Sequence, residues 1–107
     1  MIKTINGKQF IQFNHMNAWV EIDKTKTLPT SLEVYSYDTL IGYIYRDNSQ
    51  ADFVTWGYKN YSRTTSRQIT TICNQWALSR IDIVDKVEAL KTLTRYMIKF
   101  YQTNRRN

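Results

Sequence analysis

The chain has 107 residues, with 15 Lys+Arg against 9 Asp+Glu, one Cys and one His. That length fits one domain and excludes a multidomain enzyme or a repeat array. One cysteine and one histidine exclude both a disulfide-framed secreted module and a usual zinc site of four N/S ligands.

No stretch approaches the roughly 18 apolar residues of a membrane span. Residues 1–13 carry Lys3 and Lys8 without a continuous apolar run, so they do not read as a signal peptide. The single thiol points to a reducing cytoplasm. With three glycines and one proline, a glycine-rich phosphate loop is also excluded. No cofactor or metal is expected.

The first half, 1–57, reads mainly as strands. Trp19-Val20-Glu21-Ile22 is rich in β-formers. A polar loop from Asp23 to Thr30 follows. Leu32 to Tyr37 alternates. Thr39 to Arg46 puts Leu40, Gly42 and Ile44 on one face and Ile41, Tyr43 and Tyr45 on the other, both largely apolar. That suits a central strand covered on both sides. Arg46 to Gln50 forms a turn, and Phe53 to Trp56 is the return strand. The expectation is an antiparallel sheet of three to four strands.

The second half reads as helices over 64–80 and 82–102, with a frayed basic tail at 103–107. Thr65-Ser66-Arg67-Gln68 fits a capping box. Ile69, Ile72, Cys73, Trp76 and Ala77 share one helical face, on which a buried, inert thiol is expected. Asp82 is the candidate N-cap of the last helix. There Val87, Ala89, Leu90, Leu93, Met97, Phe100 and Tyr101 share a broad apolar arc, with Lys91, Arg95 and Lys99 opposite. The fold class expected is α+β: one domain over 1–107, with both helices packed on one face of the sheet.

Charge is unevenly divided. Residues 1–57 carry five cations and six anions, a net −1; residues 58–107 carry ten against three, a net +7. Such asymmetry suggests an acidic partner. Two groups concentrate the cations. Lys59, Arg63 and Arg67 surround a helix N-terminus together with Tyr58, Tyr61 and Thr64, a setting that attracts phosphate or carboxylate. Lys91, Arg95 and Lys99 form a helical stripe suited to a nucleic-acid backbone or an acidic protein surface. A solvated helix start and a solvated helix face explain the same residues. The sheet tyrosines either stack unpaired bases, form a protein-binding patch or cover the second sheet face. His15 lies in no motif and the carboxylates are scattered, so catalytic residues are not expected.

The run SYDTLIGYIY followed by YSRTTSRQ resembles small uncharacterised phage and plasmid proteins of Gram-positive bacteria that carry SY-x-T and YS-x-TTS motifs in this order. The resemblance covers roughly 36–76. It implies a mobile-element context, where small non-catalytic proteins bind and block host machinery or assist replication and transcription. The leading expectation is therefore an anti-CRISPR-type antagonist of a host nucleoprotein effector. The alternative is a DNA- or RNA-binding accessory protein, and the third is a small virion or assembly protein. A homodimer fits any of these, and a membrane fits none.

Overall fold

The computed structural model describes residues 1–104, apart from the side chain of Tyr58. The chain runs β1 (Ile2–Ile5), β2 (Lys8–Gln12), β3 (Ala18–Glu21), β4 (Thr30–Ser36), β5 (Thr39–Arg46), β6 (Ala51–Trp56), a 3-10 turn (Tyr58–Asn60), α1 (Arg63–Trp76), β7 (Ser79–Ile83) and α2 (Lys86–Asn104). The α+β class stands, but the sheet has seven strands rather than three or four, in the order β1-β2-β3-β4-β5-β6-β7. Six form an antiparallel meander, and β7 joins β6 in parallel.

The extra strands have clear causes. Asn6 and Gly7 both have positive φ, the geometry of a two-residue hairpin turn, and they join β1 to β2. At the other edge, Arg80-Ile81-Asp82-Ile83 alternates and lies beside β6, where the sequence reading placed a break between two helices. The helix expected over 64–80 therefore ends at Trp76, where Ala77 turns left-handed at φ 54° and the Leu78 N–H donates to the Cys73 carbonyl at 2.9 Å. The next helix starts at Lys86 rather than 82. Asp85, not Asp82, caps it by accepting from the Glu88 N–H at 2.9 Å. Of the expected tail, Thr103 and Asn104 are still helical, and 105–107 lie outside the described residues.

The helices pack on opposite faces of the sheet, not on one. Ile69, Ile72 and Cys73 of α1 pack against Val20, Val34, Ile44 and Phe53. Ala89 and Leu93 of α2 pack against Tyr43, Tyr45 and Val54. Alternation within each strand separates the two sets, since Phe53 and Val54, or Ile44 and Tyr45, point opposite ways. The crossover through α1 returns the chain to the sheet edge as β7, from which α2 folds over the other face. A third cluster, Phe10, Trp19 and Tyr35, extends the α2 side toward β2.

One irregularity sets the position of α1. Val34 pairs with Gly42, but Tyr35 pairs with Leu40, so Ile41 is an extra residue in β5. This β-bulge turns Ile41 onto the α1 face instead of the tyrosine face that simple alternation predicts. Gly42 follows because nothing larger fits: a Cβ there would come within 2.6 Å of the Phe53 ring and 2.7 Å of the Val54 carbonyl oxygen.

Candidate functional site

The entry to α1 is more an internal joint than an open anion site. Its N-cap is Ser62, three residues before the expected Thr65; the Ser62 hydroxyl accepts from the Thr65 N–H at 3.1 Å. Gln68 is buried and does not reach back to the cap. Its Oε1 accepts from the Ser36 hydroxyl at 2.6 Å, and Ser36 Oγ lies 3.3 Å from Thr65 Oγ1. Tyr61 is half-buried, and its hydroxyl donates to the Ile41 carbonyl at 3.0 Å, the carbonyl also reached by Thr55 Oγ1. The bulge displaces that carbonyl from the regular ladder, and the two hydroxyls satisfy it. Burial pushes the Tyr61 phenol up.

Ser36, Tyr61, Thr65 and Gln68 all belong to the paired motif SYDT…YSRTTSRQ. The motif residues thus bind one another and fasten α1 to the β4–β5 corner. Arg63, Thr64 and Arg67 remain exposed on the outside of this joint. Lys59 is exposed and borders a hollow of about 330 Å³ with Gly57, Asn60, Asp82, Ile83 and Val84. The Tyr58 side chain lies outside the described residues.

The sheet tyrosines do not form an open stacking face. Tyr35, Tyr43 and Tyr45 are buried. The Tyr45 ring lies 5.1 Å from that of Tyr96 on α2, and Tyr35 meets Phe10 edge-on at 5.3 Å. Burial raises the phenol pKa values of Tyr35, Tyr43, Tyr45 and Tyr96 above the usual range. Cys73 is likewise buried against the α1-side core, and burial pushes its thiol up.

On α2 the structure departs from the single broad apolar arc. The helix turns Ala89, Thr92 and Leu93 to the sheet, with Tyr96 and Met97 half-buried beside them. Leu90, Val87, Ile98 and Tyr101 stay 42%, 61%, 50% and 57% exposed. At 100° per residue, Leu90, Tyr101, Thr94, Val87 and Ile98 occupy about 80° of the outer surface, and Lys91, Arg95 and Lys99 the next 80° or so. Apolar and cationic stripes therefore lie side by side. A hollow of about 430 Å³ is lined by Val87, Leu90, Lys91, Thr94 and Arg95.

The cations of this stripe are held lightly. Lys91 Nζ is 3.3 Å from Glu88 Oε1, and Arg95 Nη2 donates to Thr92 Oγ1 at 3.2 Å. Such exposed pairs contribute little and leave the charge available. Lys99 faces a small hollow beside the β5–β6 turn.

The two cationic groups are not one surface. Arg63 and Arg67 ride on α1, and Lys91, Arg95 and Lys99 on α2, on opposite sides of the sheet. Sequence reasoning missed the apolar part of the α2 site. Its signal was Ile98, an apolar residue on the cationic side of the helix that the broad-arc reading left unexplained.

No protein-family model, curated protein or solved structure matches the chain. No helix among the described residues is long and apolar enough to cross a membrane.

Proposed function

We propose that this protein is a non-catalytic binder, a mobile-element antagonist of anti-CRISPR type that engages a host nucleoprotein effector through protein–protein contact. One observation carries the reading: the outer face of α2 exposes Val87, Leu90, Ile98 and Tyr101 directly beside Lys91, Arg95 and Lys99. Contiguous apolar side chains on a soluble surface mark an interaction site, and adjacent cations add orientation and on-rate toward an acidic partner. A face made only to track phosphates needs the cations without the apolar stripe.

The division of the cations between opposite sheet faces, and the burial of Tyr35, Tyr43 and Tyr45, favour protein contact over a nucleic-acid groove. The mobile-element context rests on the SY-x-T and YS-x-TTS resemblance. Its residues hold the fold together here, so the motif supports the context rather than the activity.

The test is affinity purification of the tagged protein from host cells with nuclease treatment, read by mass spectrometry, followed by an assay of nucleic-acid cleavage by the captured effector. The expected result is an effector protein that survives nuclease, loses cleavage activity when the protein is added, and is no longer captured by a Lys91→Glu/Arg95→Glu variant. A partner lost on nuclease treatment, or an effector that cleaves normally, overturns the proposal.

A further inference from the structure

The spacing of the exposed α2 stripe specifies what can lie on it. Val87, Leu90, Thr94, Ile98 and Tyr101 follow one another at intervals of 3, 4, 4 and 3 residues. Val87, Leu90, Thr94 and Tyr101 fall on a and d positions of a heptad seam; the half-buried Met97 holds the remaining position, and the exposed Ile98 stands beside it. The seam covers 15 residues, with its ends about 21 Å apart along the helix. A ridge of this period and length is matched along its whole course by a second helix; an extended strand, whose same-side residues repeat about every 6.6 Å against the helical pitch of about 5.4 Å, drifts half a repeat out of step over about two to three turns.

Charge narrows the choice. Lys91, Arg95 and Lys99 flank the seam on one side, and the chain carries +6 overall. Antiparallel pairing with a second copy of α2 would bring two such flanks together. An acidic helix would instead set carboxylates against them.

Resting on the protein-binding reading above, we infer that α2 is a docking face for an amphipathic helix of the partner protein, a helix with an apolar heptad seam and acidic residues along one flank. Leu90 is the central apolar anchor, since it lines the same hollow as Lys91 and Arg95. Thr94 provides a low point in mid-seam where a larger partner side chain seats. Lys91 exchanges its exposed contact with Glu88 for a partner carboxylate at small cost, because such surface pairs contribute little.

The experiment uses a fluorescein-labelled synthetic helix of about three heptads, which covers the seam of about two heptads with a margin at each end. Leucine occupies its a and d positions, with glutamate on one flank. A control peptide carries lysine in place of each glutamate. Anisotropy is measured with the full-length protein, and sedimentation velocity of the protein alone is run at the same concentration. The glutamate peptide should bind at least about tenfold more tightly than the lysine peptide, with the difference shrinking as salt rises.

Leu90→Glu should weaken glutamate-peptide binding about tenfold or more, since a charge enters the seam. Lys91→Glu/Arg95→Glu changes only exposed groups and should reverse the preference toward the lysine peptide, which keeps the test decisive if Leu90→Glu folds poorly. Equal binding of both peptides, absence of binding, or unchanged preference in the charge-reversed variant overturns the inference. So does a dimer of the protein alone that dissociates on Leu90→Glu, because a second copy would then be the occupant. Peptide failure with nuclease-resistant, α2-dependent capture removes this inference alone. Capture lost to nuclease removes the protein-binding reading itself.

Discussion

The hydroxyl of Ser36 donates to Oε1 of Gln68 at 2.6 Å, joining the end of β4 to the first turns of α1 across 32 residues of chain. Both side chains are buried, so neither has water as an alternative partner. Three further contacts surround the bond: Ser36 with Thr65, Tyr61 with the Ile41 carbonyl, and Tyr61 with Thr55 at 3.0 Å. A short polar network thus fixes the helix against a bulged sheet corner, where an apolar contact alone would let it slide.

Removing one member should be costly because it strands the other. Ser36→Ala leaves the Gln68 carbonyl oxygen without this donor and should destabilise the fold by about 1–3 kcal/mol. Tyr61→Phe should cost less, about 0.5–1.5 kcal/mol, since Thr55 still reaches the Ile41 carbonyl. Denaturant midpoints measure both. Equal stability of Ser36→Ala and the parent would show that the network does not fix the helix. The α2 docking face lies across the sheet and should keep its binding in each variant that folds.

The bulge makes a second, steric prediction. Gly42→Ala introduces a methyl group where the Phe53 ring and the Val54 carbonyl already fill the space. The carbonyl belongs to the β5–β6 ladder and yields only if the strands part. The variant should lose about 1–3 kcal/mol, as over-packed cores do. Phe53→Leu in the same background should recover part of the loss if the ring is the main obstacle. No recovery would place the strain on the backbone contact.

Ala77 offers the opposite sign. It closes α1 in the left-handed region, at φ 54° and ψ 49°, where a Cβ is disfavoured and glycine is not. Its side chain is exposed, so little packing is lost on truncation. Ala77→Gly should therefore stabilise the protein by about 0.5–1 kcal/mol, despite the greater freedom that glycine gives the unfolded chain. A lower thermal midpoint for the variant would mean that unfolded-state entropy outweighs the strain.

How far the sequence anticipates this structure depends on the range of the interaction involved. The strands β3 to β6 and both helices follow from local periodicity, which needs only near neighbours in the chain. The Asn6-Gly7 hairpin is equally local, but the three to four strands expected from the sequence begin at Trp19. The opposite placement of the helices was signalled by β5, whose Ile44 and Tyr43/Tyr45 faces are both apolar, but a sheet assumed to end at β6 gave no route to the second face. Simple alternation places Ile41 on the wrong face because it cannot register an inserted residue. The candidate cations are read directly from the sequence. Their separation onto two faces, and the apolar stripe beside one of them, arise from how α2 rotates on the sheet, which depends on packing against Tyr43, Tyr45 and Val54.

Asp47 supplies the acid dependence. Its Oδ2 accepts from the buried Tyr45 hydroxyl at 2.6 Å, and its Oδ1 accepts from the N–H groups of Ser49 and Gln50 at 2.8 Å each. Burial works against the carboxylate. The hydrogen bonds from Tyr45, Ser49 and Gln50 outweigh it, and the net effect holds Asp47 below the usual aspartate value. The folded state therefore binds the proton less readily than the unfolded chain, whose aspartates titrate near 3.9. The stabilising contribution is complete above that value. It is lost as pH falls through it toward the lower folded value, because the unfolded state then gains protons first. Denaturant midpoints measured at about pH 7 and pH 3 should differ more for the parent than for Asp47→Asn, which has no charge to lose and starts from a lower stability at neutral pH. Parallel acid limbs for the two proteins would show that the turn does not contribute through its charge. Since the Tyr45 hydroxyl bonds the same carboxylate, Tyr45→Phe should flatten the acid limb part-way toward that of Asp47→Asn, an ordering that loss of packing alone does not produce.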